Sequence, residues 1–159
     1  MRPDHRQLIE QRLLEQYPRF YRLAYSYLKN EADAQDAVQD AACKALRSWK
    51  TLRETKYLDT WLYRIVVNQS VTLLRAKSRW GGDETELENL SVEDRYENTD
   101  LLRALDALET TDRTIVTLRY FEELKLSEVA EVVQMPLNTV KSRLYRALEK
   151  LRNALKEEA

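Results

Sequence analysis

An all-α fold, divided into two helical domains by an acidic linker, follows from three features of this sequence. Only two glycines and three prolines occur in 159 residues, so the many tight turns of a β-rich fold lack their usual residues. Good helix formers (Leu, Ala, Glu, Arg, Lys, Gln) dominate the chain. Apolar residues recur at spacings of three and four, the period of one helix face. The length suits one ordinary globular domain or two small ones, and is too short for a large multidomain enzyme.

The same composition excludes several classes of function. The two glycines are adjacent, Gly81 and Gly82, so neither a phosphate-cradling loop nor a dinucleotide fingerprint can be written. One histidine, His5, and one cysteine, Cys43, supply no Cys/His zinc set, and a His-based triad would depend on an N-terminus expected to be loose. No cofactor or metal is expected, and no enzyme, for want of any convergent nucleophile, base or metal set. Cys43 cannot form an intramolecular disulfide and fits a reducing compartment, with burial as a small core residue its simplest role. There is no charge-free apolar stretch of membrane-spanning length and no secretory signal pattern. Direct membrane insertion is therefore not expected, and the expected location is the cytoplasm.

The formal net charge of −1 conceals a segregation along the chain. From Lys44 to Arg79 nine basic residues face two acidic ones, a net +7. From Gly81 to Asp100 eight acidic residues face one basic, a net −7, and from Leu137 to Lys156 six basic face one acidic, a net +5. The acidic stretch also holds the glycine pair, few large apolar residues and no clear period, which predicts a linker over residues 81–100 between domains at 1–80 and 101–159. A solvated acidic loop with no task of its own is the plainer alternative.

Each predicted helix rests on its stripe. Phe20, Leu23, Ala24 and Tyr27 mark the first, with Pro18 tolerable in its first turn. Ala34, Ala37, Val38, Ala41, Ala45 and Trp49 form one face of the next, with Asp36, Gln39, Asp40, Cys43 and Arg47 on the opposite side. Leu58, Trp61, Leu62, Ile65, Val66 and Leu73 predict a helix from about Tyr57 to Lys77, whose other side shows Arg64, Asn68, Val71 and Arg75. After the linker, helices are predicted over Leu101 to Leu108 and Arg113 to Phe121, with Asp112 as N-cap of the latter. A short helix over Ser127 to Val133, a break at Gln134-Met135-Pro136 and a long periodic run to Leu155 then suggest a helix-turn-helix.

The second helix of that pair carries the sharpest chemistry. Leu137, Val140, Leu144, Ala147, Leu151 and Leu155 make its inward stripe, and Asn138, Lys141, Ser142, Tyr145 and Arg146 lie roughly opposite. Lys and Arg donate to guanine O6 and N7, Asn pairs with adenine, Ser adapts, and Tyr offers a flat face to a thymine methyl. An ordinary solvated face is the alternative; the preceding short helix, the break and the local +5 favour a major-groove reader. In the N-terminal domain Trp49, Tyr57, Trp61, Tyr63 and Trp80 interleave with the basic run, a composition suited to unpaired bases. Trp49 and Trp61 sit on apolar stripes and are expected in the core, leaving Tyr57, Tyr63 and Trp80 freer.

Three separated motifs then resemble one family. Asp33-Ala34-Gln35-Asp36-Ala37-Val38-Gln39-Asp40 is similar to region 2.2 of RNA polymerase sigma factors of the extracytoplasmic-function type, within the sigma-70 family. Thr60-Trp61-Leu62-Tyr63-Arg64-Ile65-Val66-Val67-Asn68 resembles the junction of regions 2.3 and 2.4. Asn138-Thr139-Val140-Lys141-Ser142-Arg143-Leu144-Tyr145-Arg146-Ala147 resembles the recognition helix of region 4.2. The resemblance runs from about Tyr17 to Arg152.

It implies a region 2 helical bundle at 1–80 that binds core polymerase and the −10 element, and a region 4 helix-turn-helix at 101–159 that reads the −35 element. Asp36, Gln39 and Asp40, with Arg47 beside them, would dock on the clamp helices of the β′ subunit, and the family also contacts the β flap. Arg64, Asn68 and Arg75 would lie near the melted −10 strand, Asn68 beside a flipped-out base. Asn138, Lys141, Ser142, Tyr145 and Arg146 would meet −35 base edges, with Thr139 and Arg143 on phosphates. The resemblance further implies an anti-sigma factor, often membrane-anchored in the family, and an acidic linker threading the polymerase cleft. Ala42, Leu46, Val67, Thr72, Gln134 and Asn138 depart from the family's usual residues, and a Gln in the turn is strained if its φ is positive. No further C-terminal domain is expected after Arg152. A stand-alone helix-turn-helix regulator is the runner-up, on which the basic, aromatic helix from Tyr57 to Trp80 has no task; a helical interaction protein without a nucleic-acid role comes third.

Overall fold

The computed structural model describes residues 4–79 and 99–157, and the predicted linker up to residue 98, together with Trp80, lies outside the described residues. All regular elements among the described residues are helical, and the chain divides into two units, Met1–Asn89 and Leu90–Ala159.

The described residues of the first unit form four α-helices and two short 3₁₀ turns. α1 spans His5–Glu15 and is capped by Asp4, whose carboxylate accepts the Arg6 N–H at 3.2 Å. Its fully buried Ile9 ties it into the unit, so His5 opens a helix and not the loose end expected. α2, Tyr17–Leu28, carries Pro18 in its first turn, where a missing N–H is harmless, and ends on Lys29 in the left-handed region at φ 56°. α3, Glu31–Arg47, has a complete set of end signals. Asn30 Oδ1 accepts the Asp33 N–H at 2.9 Å, Glu31 and Asp33 sit in the first turn, and Lys44 and Arg47 in the last, each complementing the helix dipole. α4, Leu58–Arg79, is the longest element of the unit.

Burial explains how these pack. Ala34, Ala37, Ala41 and Ala45 on α3 allow close approach to α2 and α4, while Phe20, Leu23, Leu62 and Val66 fill the space between. Two of the aromatic expectations change here. Trp49 falls just past the end of α3 in a short 3₁₀ turn and is half-buried. Tyr63 is 3% exposed and packs edge-on against Phe20, ring centroids 5.2 Å apart, so it is core and not a free platform. The middle of α4 is buried on more than one side (Trp61, Leu62, Tyr63, Ile65, Val66, Val67), and Ser70 satisfies its hydroxyl on the Val66 carbonyl at 2.8 Å. Ion pairs hold both ends of α4: Arg12 of α1 on Asp59, and Asp33 of α3 on Lys77.

The second unit comprises α5 (Thr99–Ala107), α6 (Thr110–Val116), α7 (Leu126–Val133) and α8 (Leu137–Glu157). A π-type turn, Thr117–Phe121, follows α6 and closes with the Glu122 N–H on the Thr117 carbonyl at 3.0 Å. Glu109, not Asp112, precedes the first turn of α6; Asp112 lies inside the helix and is buried, because a partner on α8 claims its carboxylate. Val140, Leu144, Ala147 and Leu151 bury the inward stripe of α8 against α5, α6 and α7. Its end members do not join them: Leu137 is 39% exposed and Leu155 37%, each lying where the neighbouring helices no longer cover it.

The turn between α7 and α8 takes the strained form its sequence implies. Gln134 sits at φ 55°, ψ 52°, and its N–H bonds to the Ala130 carbonyl, which also accepts the Met135 N–H at 3.2 Å. A Cβ in that conformation is disfavoured, and glycine removes it. Gln134→Gly is expected to stabilise the protein by about 0.5–1 kcal/mol, the strain relief being partly offset by a looser unfolded chain. Chemical denaturation checks this; an unchanged or lower midpoint would show that the strain relieved does not exceed the unfolded-state cost of the glycine.

Candidate nucleic-acid interface

On α8 the geometry is that of a reading face. With about 100° per residue, Asn138, Lys141, Ser142, Tyr145 and Arg146 occupy one arc opposite Val140, Leu144, Ala147 and Leu151. All five are exposed, Tyr145 at 64% despite its large ring. Thr139 is exposed at the edge of that arc. The left-handed Gln134 ends α7 and Pro136 begins the next chain direction, so α8 starts afresh and offers its N-terminal turns outward. No acid lies on this arc before Glu149, so the charges on its first three turns are cations alone.

Arg143 stands apart from its neighbours. It is one residue round from Ser142, at the edge of the buried stripe, and its guanidinium reaches across to α6, where Nη1 donates to Asp112 Oδ1 at 3.0 Å and lies 3.7 Å from Glu109. One nitrogen of the guanidinium expected at a phosphate is therefore engaged inside the unit. The signal was present in the helical angle, since Arg143 lies about 160° from Tyr145.

In the first unit, α4 presents Arg64, Asn68 and Arg75 on a common side, spread over about 16 Å of helix. Asn68 and Arg75 are exposed and Arg64 is half-buried. The loop before α4 adds Lys50, Arg53, Lys56 and Tyr57, all exposed. Lys56 sits 5.1 Å from the centre of the Tyr57 ring and 3.3 Å from Glu54, and the hydrogen bond to Glu54 raises its pKa above the usual lysine value. Lys50 similarly lies 5.6 Å from the Trp49 ring. Of the interleaved aromatics, then, Tyr57 and part of Trp49 remain accessible, while Trp61 and Tyr63 serve the core.

A different chemistry covers α3. Asp36, Gln39, Asp40 and Arg47 are exposed in one stripe of about 16 Å, facing away from the alanines. Cys43 lies in the same stripe and is exposed, which corrects its expected place in the core; its spacing of three from Asp40 puts it there. On α2, Tyr17, Tyr21 and Tyr25 form a ladder with ring centroids 6.2 and 6.1 Å apart. Burial, then the negative field of Glu31, pushes the Tyr21 hydroxyl above the ordinary tyrosine pKa. Both Tyr21 and Lys56 thus keep their protons at neutral pH.

A cationic reading helix behind a strained turn, joined in sequence to a second helical unit with a separate basic face, defines a DNA-binding protein of the helix-turn-helix class with two contact modules. The chain matches the family model for sigma-70 region 2 over residues 13–79 and that for sigma-70 region 4 over residues 98–151. It is 47% identical to the RNA polymerase sigma factor SigV of Bacillus subtilis over 142 residues, 87% of this chain and 86% of that protein. It is 34% identical to the ECF RNA polymerase sigma-E factor of Haemophilus influenzae over 141 residues, 77% of this chain and 75% of that protein. Among solved structures it resembles the sigma factor RpoE of Bartonella quintana, crystallised with the anti-sigma factor NepR, with TM-score 0.72, 25% identity, and coverage of 92% of this chain and 96% of that one. The chain belongs to the extracytoplasmic-function group of the sigma-70 family of RNA polymerase sigma factors. It directs RNA polymerase to promoters in transcription initiation and is not an enzyme. Among the described residues, no helix is long and apolar enough to cross a membrane.

Proposed function

We propose a division of labour within that function. Residues 1–80 bind core polymerase and the −10 element, residues 81–100 connect, and residues 101–159 read the −35 element as duplex. Asp36, Gln39, Asp40 and Arg47 dock on the β′ clamp helices, and the second unit meets the β flap. Arg64, Asn68 and Arg75 engage the unpaired −10 strand, where capture of a flipped base offsets the few kcal/mol of unstacking and so promotes melting without hydrolysis. Asn138, Lys141, Ser142, Tyr145 and Arg146 read base edges, with Thr139 at the phosphates. The observation that carries this reading is the exposure of all five of those side chains on one arc of α8.

The likeness to a sigma factor crystallised with its anti-sigma factor supports an inhibitory partner here. Such a partner, membrane-anchored or not, would cover the polymerase-binding faces. The chain works in the cytoplasm, where its polymerase is. A stand-alone regulator is disfavoured by the region 2 match, which gives the N-terminal half a task that reading needs no account of.

Run-off transcription with purified core enzyme tests the proposal. Wild-type chain should yield promoter-dependent transcripts, and Lys141→Ala should reduce discrimination between an intact and a scrambled −35 element roughly 5- to 30-fold, about 1–2 kcal/mol for one base contact. Transcripts that ignore the −35 sequence in both proteins would remove α8 from promoter reading.

A further inference from the structure

We infer that Asp112 is a positioning residue for promoter reading: by holding Arg143 it fixes the rotation of α8 about its own axis. The inference rests on the assignment of α8 to the −35 duplex. Three observations carry it. Asp112 is 8% exposed, within α6, and its Oδ1 accepts from Arg143 Nη1 at 3.0 Å across 31 residues of sequence. Arg143 lies between two members of the opposed faces, Ser142 outward and Leu144 inward, so a tether on it acts tangentially to the helix. The next residue on α6, Arg113, makes a second such tie, its Nη1 donating to Asp106 of α5 at 3.2 Å. Adjacent opposite charges thus link α6 to both α5 and α8.

The apolar contacts of α8 cannot do this alone. Val140, Leu144, Ala147 and Leu151 bury area, and burial is non-directional, so the stripe defines the rotation of α8 less sharply than a directed bond does. A charge-assisted hydrogen bond specifies direction as well as proximity. A part-buried ion pair of this kind contributes little net stability, and the best-attested value of such pairs is in selecting one arrangement over near alternatives. Base-edge hydrogen bonds from Lys141 and Arg146 lose strength steeply with misalignment, so rotation of α8 would blunt sequence discrimination before it weakened general attraction to DNA. Arg143 would then serve DNA reading without touching DNA.

The alternative, a phosphate contact by Arg143, predicts the opposite sign in one variant. The assay is equilibrium binding of holoenzyme to promoter DNA with an intact or a scrambled −35 element, across a salt series. With Asp112 as positioner, Asp112→Asn should lower the intact-to-scrambled ratio about tenfold, the worth of one misaligned bidentate contact. The salt slope should not change. Arg143→Gln should match it, the double variant should be no worse than either single, and Asp112→Glu should restore most of the ratio. If Arg143 instead binds phosphate, Arg143→Gln weakens both DNAs equally and reduces the slope by about 0.9. Asp112→Asn would then release the guanidinium and tighten binding. That pattern overturns the inference. So does a loss of ratio in Asp112→Asn that merely tracks its unfolded fraction, measured by thermal denaturation of each variant. A wild type with no −35 discrimination would instead sink the promoter-reading assignment itself, and a discriminating wild type with an unaffected Asp112→Asn would sink the positioning role alone.

Discussion

Replacing Asp36 and Asp40 together by lysine should abolish promoter-dependent transcription, with affinity for core polymerase reduced about 100-fold or more. Both carboxylates are exposed on α3, four residues apart on one side, while Ala34, Ala37, Val38, Ala41 and Ala45 bury the other. The reversal leaves the packing of the unit untouched, and surface changes of this kind normally alter stability by no more than about 0.5 kcal/mol. If the two carboxylates serve docking by pairing with cations of the partner, reversal brings like charges together, which costs several kcal/mol across an interface. A loss of 2.7 kcal/mol already corresponds to about 100-fold in affinity. Reversing Glu10, exposed on α1 and outside the proposed docking residues, serves as the control and should leave binding near wild type. Titration of labelled protein with core enzyme separates the two. Wild-type affinity in the double variant would move the docking surface off α3.

Why much of this was legible in advance, and some not, comes down to the range over which each signal acts. The stripes of α2, α3, α4 and α8 are local, since a helix packed on one side repeats its apolar residues every three or four positions. The proposed reading face on α8 and the proposed docking face on α3 are the exposed complements of such stripes. α1 escaped because Ile9 is its one fully buried side chain, and a single anchor makes no period. Tyr63 lies off the main stripe of α4 and so carries no local sign of burial, but Phe20, 43 positions earlier, covers it. Asp112 looked like a helix cap because an acid ahead of an apolar run is what a cap looks like. Its true partner, Arg143, is distant in sequence, and no local pattern announces a pairing of that kind. Gln134 shows the reverse case: the strain of a left-handed turn without glycine could be stated beforehand, since backbone sterics involve only the residue and its two flanking peptide groups.

Asn68→Ala should slow promoter opening by roughly 10- to 100-fold, about 1.4–2.7 kcal/mol, while changing closed-complex affinity less than about threefold. The separation follows from where Asn68 sits. It is exposed on α4 between Arg64 and Arg75, so its amide can act on a base only after that base has left the stack, whereas the flanking cations attract phosphates in duplex and single strand alike. Removing the amide deletes an interaction made after melting and spares those made before it. A template whose −10 region is already unpaired should therefore recover most of the lost rate, because the unstacking step no longer has to be offset. Permanganate footprinting gives the opening rate and filter retention at low temperature gives closed-complex affinity. Equal losses in both, unrelieved by the unpaired template, would mean that Asn68 contacts duplex DNA or supports the fold of α4. Its exposure argues against the second, and thermal unfolding of the variant checks it directly.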